Sequence, residues 1–395
     1  MRKLNKLLNS IKKFIKKPGG FFSLGVGTFV TNGIGGIFWL YIASLLGTEE
    51  YGRVTYFISI GIIASTVSLV GMSNTMIVFR AKGEKIQSSI YVIGIISPII
   101  TSVILFFIFL QNIEISLYVI GFVTFTLIGA ELIGLKSFNK YAKLIITQKI
   151  LLVTLSIGLY HVIGYQGIIL GMAISFLPFG IIMVKAFKQE KINFVILKSK
   201  YKFIVNSYLL DLVGAFNGSF DKIIIVPLLG FALLGNYQLG LQFLALLGIL
   251  PGIFYQYILP HDSNQDSTKS IKKIMIIVSI IITIGSITLS PIIIPKIFPN
   301  FTEAIILIQI MSASIISSTI ISIYTSKYLG LEKSKIVIIG SGVYLLVQIP
   351  TLIVLTSYWG INGAGISVLI ASIAHAIFFI IINQFLIKSK KENES

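Results

Sequence analysis

The chain reads as an all-α polytopic membrane protein, with twelve transmembrane helices arranged as two six-helix bundles. Three observations predict this. Of 395 residues, 55% are hydrophobic and only 12% charged, with a mean hydropathy of +0.94, far outside the range of a soluble domain. Apolar runs long enough to cross a hydrocarbon core of about 30 Å recur along the whole chain. Lysine and arginine also concentrate in alternate connecting segments: with a cytoplasmic N-terminus, the segments on that side hold 28 of the 32. Missing or inventing a single span would destroy that alternation.

Residues 1–20 are basic, with Leu4, Leu7, Leu8, Ile11, Phe14 and Ile15 at helical spacing, and predict an amphipathic segment on an anionic membrane surface. A first bundle, residues 21–187, holds spans at 21–46, 54–79, 89–110, 115–135, 144–162 and 167–184. The run 21–46 is too long for the apolar part of a signal peptide and lacks a small-residue cleavage site, so it is read as a retained span. Residues 188–202 form a cytoplasmic linker. A second bundle, 203–387, holds spans at 203–229, 231–259, 274–294, 304–326, 336–357 and 361–387, and residues 388–395 form a cytoplasmic tail. The narrowest division is between spans five and six, where only residues 161–166 intervene.

Several function classes fall away. The longest connecting segment, 185–202, has eighteen residues, too few for a soluble catalytic or nucleotide-binding domain, and no GxxxxGK[ST] phosphate loop occurs. There is no cysteine, hence no disulfide framework and no thiolate metal site. The reading is therefore of a protein that is not an enzyme and has no cofactor, no metal and no catalytic residues. A net charge of +18 would suggest nucleic acid in a soluble protein; here its placement makes it a topology signal and an attraction for membrane lipids.

The two halves repeat. Leu46-Gly47-Thr48-Glu49-Glu50-Tyr51-Gly52 has a counterpart 183 residues later in Leu229-Gly230-Phe231-Ala232-Leu233-Leu234-Gly235. Gly164-Tyr165-Gln166-Gly167 returns as Gly360-Ile361-Asn362-Gly363 after 196 residues. Both offsets are close to six spans, and two six-span halves that start on the same side are parallel repeats.

The segment Leu45-Leu46-Gly47-Thr48-Glu49-Glu50-Tyr51-Gly52 and the seventh-span segment Ser219-Phe220-Asp221-Lys222-Ile223-Ile224-Ile225 carry a family resemblance. So do Gly230 and Leu234-Gly235-Asn236-Tyr237-Gln238. With the basic N-terminus and the two six-span halves, these resemble the polysaccharide-exporter branch of the multidrug/oligosaccharidyl-lipid/polysaccharide (MOP) flippase superfamily, which includes O-antigen (Wzx-type) flippases. The resemblance implies two bundles around a central cavity in the cytoplasmic membrane, both termini cytoplasmic. It implies alternating access that turns over a polyprenyl- or dolichyl-linked oligosaccharide for glycan synthesis, with glycan-assembly enzymes as partners. The alternative within the superfamily is a drug or toxin antiporter driven by H+ or Na+.

A lipid-linked head group carries phosphate or pyrophosphate and many hydroxyls, so its path calls for cations, hydrogen-bonding groups and aromatic faces. The candidates are Lys222, Lys149 and Arg80 for phosphate, with Asn32, Asn74, Asn217 and Trp39 for sugar. Each has a plainer reading: Lys149, one turn into its span, as snorkelling, Arg80 as a topology anchor, and the amides as glue between helices. Acids buried in a span respond to an ion gradient, and Asp211, Asp221 and Glu131 are the candidates for coupling to H+ or Na+. Span seven is the densest: Asp211, Gly214, Gly218 and Lys222 share one helical face, and Asn217 and Asp221 form a second stripe. Asp221 and Lys222 read alternatively as snorkelling from that helix's outer end, and as neighbours in sequence they are not expected to face each other.

Overall fold

The computed structural model describes residues 20–109, 112–187, 192–263 and 268–394, with side chains masked at 20–32, 185–187, 260 and 387–394. The amphipathic segment at 1–19, the side chain of Asn32 and the side chains of the tail lie outside the described residues. The described chain is helical throughout: α1 Gly20–Leu69, α2 Met72–Ala81, α3 Gln87–Ile108, α4 Ile113–Gly134, α5 Phe138–Ile163, α6 Tyr165–Ile174 and α7 Gly180–Phe187. There follow α8 Phe194–Ser199, α9 Tyr201–Leu229, α10 Phe231–Leu247, α11 Ile249–Ser263, α12 Lys269–Ile297, α13 Ala304–Ser312, α14 Ser314–Gly330 and α15 Ser334–Glu394.

Two of these helices are too long to cross a membrane once. At about 1.5 Å per residue the 50 residues of α1 would reach about 75 Å, over twice the hydrocarbon thickness. Gly47 breaks it, at φ 72° and ψ −173°. Likewise α15, with 61 residues, breaks at Trp359 and Gly360, the latter at φ 56°. Among the described residues nine stretches are long and apolar enough to span. The breaks make α1 and α15 two crossings each, and α10 with α11, bent by 44°, adds another, which accounts for the twelve predicted spans. The close division between spans five and six is real: Gly164, at φ 71°, separates α5 from α6.

Helices run past the predicted limits. The fifth span was expected at 144–162, and α5 begins at Phe138. Hydropathy marks only the apolar part of a helix, while its first turns, here with Lys140 and Lys143, stay polar. The second span is also interrupted. Between α1 and α2, Val70 (φ 48°) and Gly71 (φ 71°) leave the helical region, and a Cβ on Gly71 would lie 2.5 Å from the Ile204 carbonyl oxygen of α9.

The chain forms two compact units. The first takes Met1–Phe38 and Ile60–Ala215, the second Trp39–Ser59 and Phe216–Ser395. In the first, Leu69, Met76, Phe79, Ile90, Tyr91, Leu127 and Ile128 form a core on which Phe203 and Ile204 of α9 pack. The second centres on Ile225, Leu234, Tyr237, Leu307, Met311, Leu352 and Ala364. Within it the repeat has a geometric meaning. A Cβ on Gly52 would stand 1.9 Å from the Phe231 carbonyl oxygen, and one on Gly235 2.0 Å from that of Thr48, so the first turn and its counterpart 183 residues on press backbone to backbone in reciprocal fashion.

Candidate functional site

The first unit has a cavity of about 440 Å³, open on one side, between α2, α4, α5 and α6. Its wall is largely aromatic: Tyr118, Phe122, Phe125, Tyr141 and Phe176 line it, and the rings of Phe122 and Phe176 meet edge to face at 6.0 Å. Polar groups come from Ser73 of α2, Thr126 of α4, and Gln148 and Lys149 of α5. Lys149 is the one charged side chain in the wall, and among the described residues it makes no hydrogen bond or ion pair. Because α5 starts at Phe138, Lys149 is the twelfth residue of the helix, three turns from its start. Its neighbour Gln148 is buried and donates to Ser175 Oγ at 3.1 Å, which leaves the cavity a single cationic centre in an aromatic, hydroxyl-bearing pocket.

Two other partly buried polar groupings belong to the same unit. Arg80 at the end of α2 and Glu131 near the end of α4, assigned separately from the sequence to phosphate and to an ion, lie 3.8 Å apart. The Tyr91 hydroxyl of α3 donates to the other oxygen of Glu131. Gly134, one turn on, packs against the Arg80 stem and the carbonyl of Ile77, so the three helix ends are clasped around this cluster. The second grouping joins Asn74 and Asp211, 137 positions apart in sequence. Asn74 Nδ2 donates to Asp211 Oδ1 at 2.9 Å, and the other carboxylate oxygen is buried with no hydrogen-bond partner.

In the second unit Asp221 and Lys222 are both 7% exposed, so neither snorkels. Nor do they diverge as adjacent residues were expected to. The Lys222 side chain is long enough to fold back along α9, reaching Asp221 Oδ1 at 3.1 Å and the Gly218 carbonyl at 2.9 Å. Tyr237 of α10 donates to Asp221 Oδ2 at 2.7 Å. The polar face drawn along span seven therefore divides: Asp211 is held by Asn74, and Lys222 by Asp221. On the same helix the Oδ1 of Asn217 is buried and unpartnered. Trp39 lies in this unit, its ring 6.3 Å from that of Tyr51, which in turn meets Phe301 edge-on at 6.0 Å.

Sequence reasoning missed Tyr91, Tyr237, Gln148 and the aromatic wall. The segment Leu234-Gly235-Asn236-Tyr237 gave a signal, and the structure gives each position a task. Leu234 is core, Gly235 allows the backbone contact, Asn236 Oδ1 accepts from the Ala304 N–H at the start of α13, and Tyr237 satisfies Asp221.

No protein-family model matches the chain, and no curated protein matches it. Solved structures do. One is the lipid II flippase MurJ in an inward-closed conformation, with a TM-score of 0.69 at 16% identity, covering 91% of this chain and 87% of that one. Another is an inward-facing multidrug resistance MATE family transporter of the MOP superfamily, at 0.66 and 14%, covering 95% and 100%. A third is a MOP superfamily transporter from Pyrococcus furiosus, described by the reverse polarity of its binding pocket, at 0.56 and 14%, covering 94% of each chain. At such identities the likeness is one of fold: the chain, a multi-pass membrane protein by its apolar helices, has the fold of these flippase and transporter structures.

Proposed function

We propose that the protein is a flippase that carries the phosphate-bearing head group of a lipid-linked oligosaccharide across the cytoplasmic membrane by alternating access. The lipid carrier is a polyprenyl or dolichyl phosphate or pyrophosphate, and both chain termini are cytoplasmic. The observation that carries this reading is the polarity of the first-unit cavity. An unpaired ammonium in a low-dielectric pocket is costly and becomes favourable when an anion joins it, whereas a carrier of cationic drugs needs carboxylates in that place. Lys149 is the phosphate contact, and the aromatic wall with Thr126 and Ser73 suits a sugar that shows both apolar and hydroxyl faces. Residues 21–187 and 203–387 serve as the two bundles of the transport cycle, and Asn32, Trp39 and Asn217 are further contacts for the glycan.

The test is flipping of a fluorescent lipid-linked oligosaccharide in proteoliposomes, with Lys149→Gln alongside. Movement by the wild type and a loss of about tenfold in the variant are expected, the equivalent of one charge-assisted contact. A wild type that leaves the lipid in place and exports a cationic drug would make the chain an antiporter.

A further inference from the structure

Asp211 and Asn74 stand outside the cavity, yet they share an element with it. Asn74 follows Ser73 on α2, and Ser73 and Ile77, one turn apart, form the α2 wall of the Lys149 cavity. On the adjoining stripe of α2, Asn74 reaches α9. The same short helix therefore has a cationic pocket along one stripe and a carboxylate held from the next. It begins at the Val70–Gly71 break, where Gly71 lies close against the α9 backbone at Ile204 and Tyr208, and its far end meets α9 again through the rings of Phe79 and Phe203. A break of this kind lets α2 move without dragging α1 with it.

The carboxylate itself is incompletely satisfied. One oxygen accepts a single amide hydrogen bond, the other is buried without a partner, and no cation pairs with it among the described residues. The groups around it do not supply one. Residues 60–69 of α1 have no ionisable side chain, and the one on α2, Arg80, is held by Glu131. In the linker Lys200 is paired with Glu84, while on its own helix Lys202 lies nine residues back and Asp221 with Lys222 neutralise each other. Beside it, Gly214 faces open space, with no atom within 4 Å of where its Cβ would be, so a small ion has room to approach. By contrast Asp221 already has a lysine, a tyrosine and a backbone N–H, and Glu131 an arginine and a tyrosine.

We infer that Asp211, positioned by Asn74, is a proton-binding site whose occupancy is linked through α2 to anion binding at Lys149. A proton neutralises the carboxyl and weakens its hold on the Asn74 amide, which frees the start of α2. An anion in the cavity along the adjoining stripe of α2 favours the neutral acid. Linkage then requires that protonation strengthen anion binding by the same factor. The coupling half of this inference rests on the phosphate reading of the cavity; the proton site does not.

The experiment is infrared spectroscopy of the full-length protein in nanodiscs, titrated from acid to alkaline pH, with a polyprenyl monophosphate as the probe. A protonated-carboxyl stretching band that titrates in the wild type and is absent in Asp211→Asn is expected. Asn74→Ala, which removes a donor to the ionised form, should move the midpoint to higher pH and keeps the test readable should Asp211→Asn not fold. The probe should raise the midpoint in the wild type and leave it unmoved in Lys149→Gln. A band unchanged in Asp211→Asn, a carboxylate that answers to sodium but not to pH, or a midpoint indifferent to the probe would each overturn the inference. A titrating band in a protein that flips no lipid would leave the proton site standing and remove the flippase reading.

Discussion

Gly52 and Gly235 each lie where a neighbouring backbone leaves no room for a side chain, and each presses on the turn that bears the other: Gly52 on the Phe231 carbonyl, Gly235 on that of Thr48. Their sequence separation, 183, is also that of Thr48 from Phe231 and of Gly47 from Gly230. A local two-fold relation between the repeats is thus built into one contact, and it rests on two hydrogens.

Alanine at either position must push backbone apart. Gly52→Ala and Gly235→Ala should each cost about 1–3 kcal/mol or more, as overpacking against an unyielding neighbour does. The double variant should cost less than the total, because once the turns separate both clashes are relieved. Gly214→Ala, with no atom within 4 Å, should be neutral or gain up to about 1 kcal/mol from helix propensity. Thermal unfolding of the purified protein in detergent separates these cases.

The Asp221–Lys222 pair predicts a different pattern. Asp221→Asn or Lys222→Met alone leaves an uncompensated buried charge and should destabilise by about 3–5 kcal/mol, whereas the double variant should recover most of it. Equal loss in the single and double variants would mean that the charges do not compensate each other.

The clasp at the ends of α2, α3 and α4 should behave as structure. Glu131→Gln, which breaks the pair with Arg80, and Tyr91→Phe, which leaves Glu131 one hydrogen bond short, should lower unfolding temperature, the latter by the equivalent of about 1–3 kcal/mol. Neither should change how transport responds to an imposed proton gradient. A lost response in Glu131→Gln with stability intact would move the coupling role from Asp211 to Glu131.

Lys149 should show the opposite signs for stability and function. Replacing a lone ammonium in an apolar pocket with methionine removes a desolvation cost, so Lys149→Met should raise stability by about 1 kcal/mol while transport falls. Loss of both would make the lysine a structural element.

The sequence made the spans legible because crossing a bilayer imposes length and apolarity, and the lysine-rich segments fixed their number. Glycines marked the repeat for a physical reason, since Gly47, Gly164, Gly230 and Gly360 all have positive φ and end helices at matching places. The charged residues were legible as costly. Their partners were not: Asn74 and Asp211, or Tyr91 and Glu131, meet only after packing, and no spacing rule along one helix reaches another. Lys149 was legible as a lysine within an apolar run, while the cavity it lines was not, because that wall is assembled from three other elements besides its own helix. The Asp221–Lys222 contact escaped because helical geometry governs where side chains start, not how far a lysine can bend back.

Photo-cross-linking can show whether phosphate enters the first-unit cavity at Lys149. A polyprenyl phosphate with a diazirine beside its phosphate would be bound to the protein in nanodiscs and its adducts mapped. Adducts are expected on the cavity walls of α4 and α5, around Thr126, Tyr141 and Gln148, with their loss in Lys149→Gln. Adducts confined to exposed positions outside that cavity, such as Ile96 and Ile100 of α3, and unchanged by the substitution, would place the phosphate elsewhere.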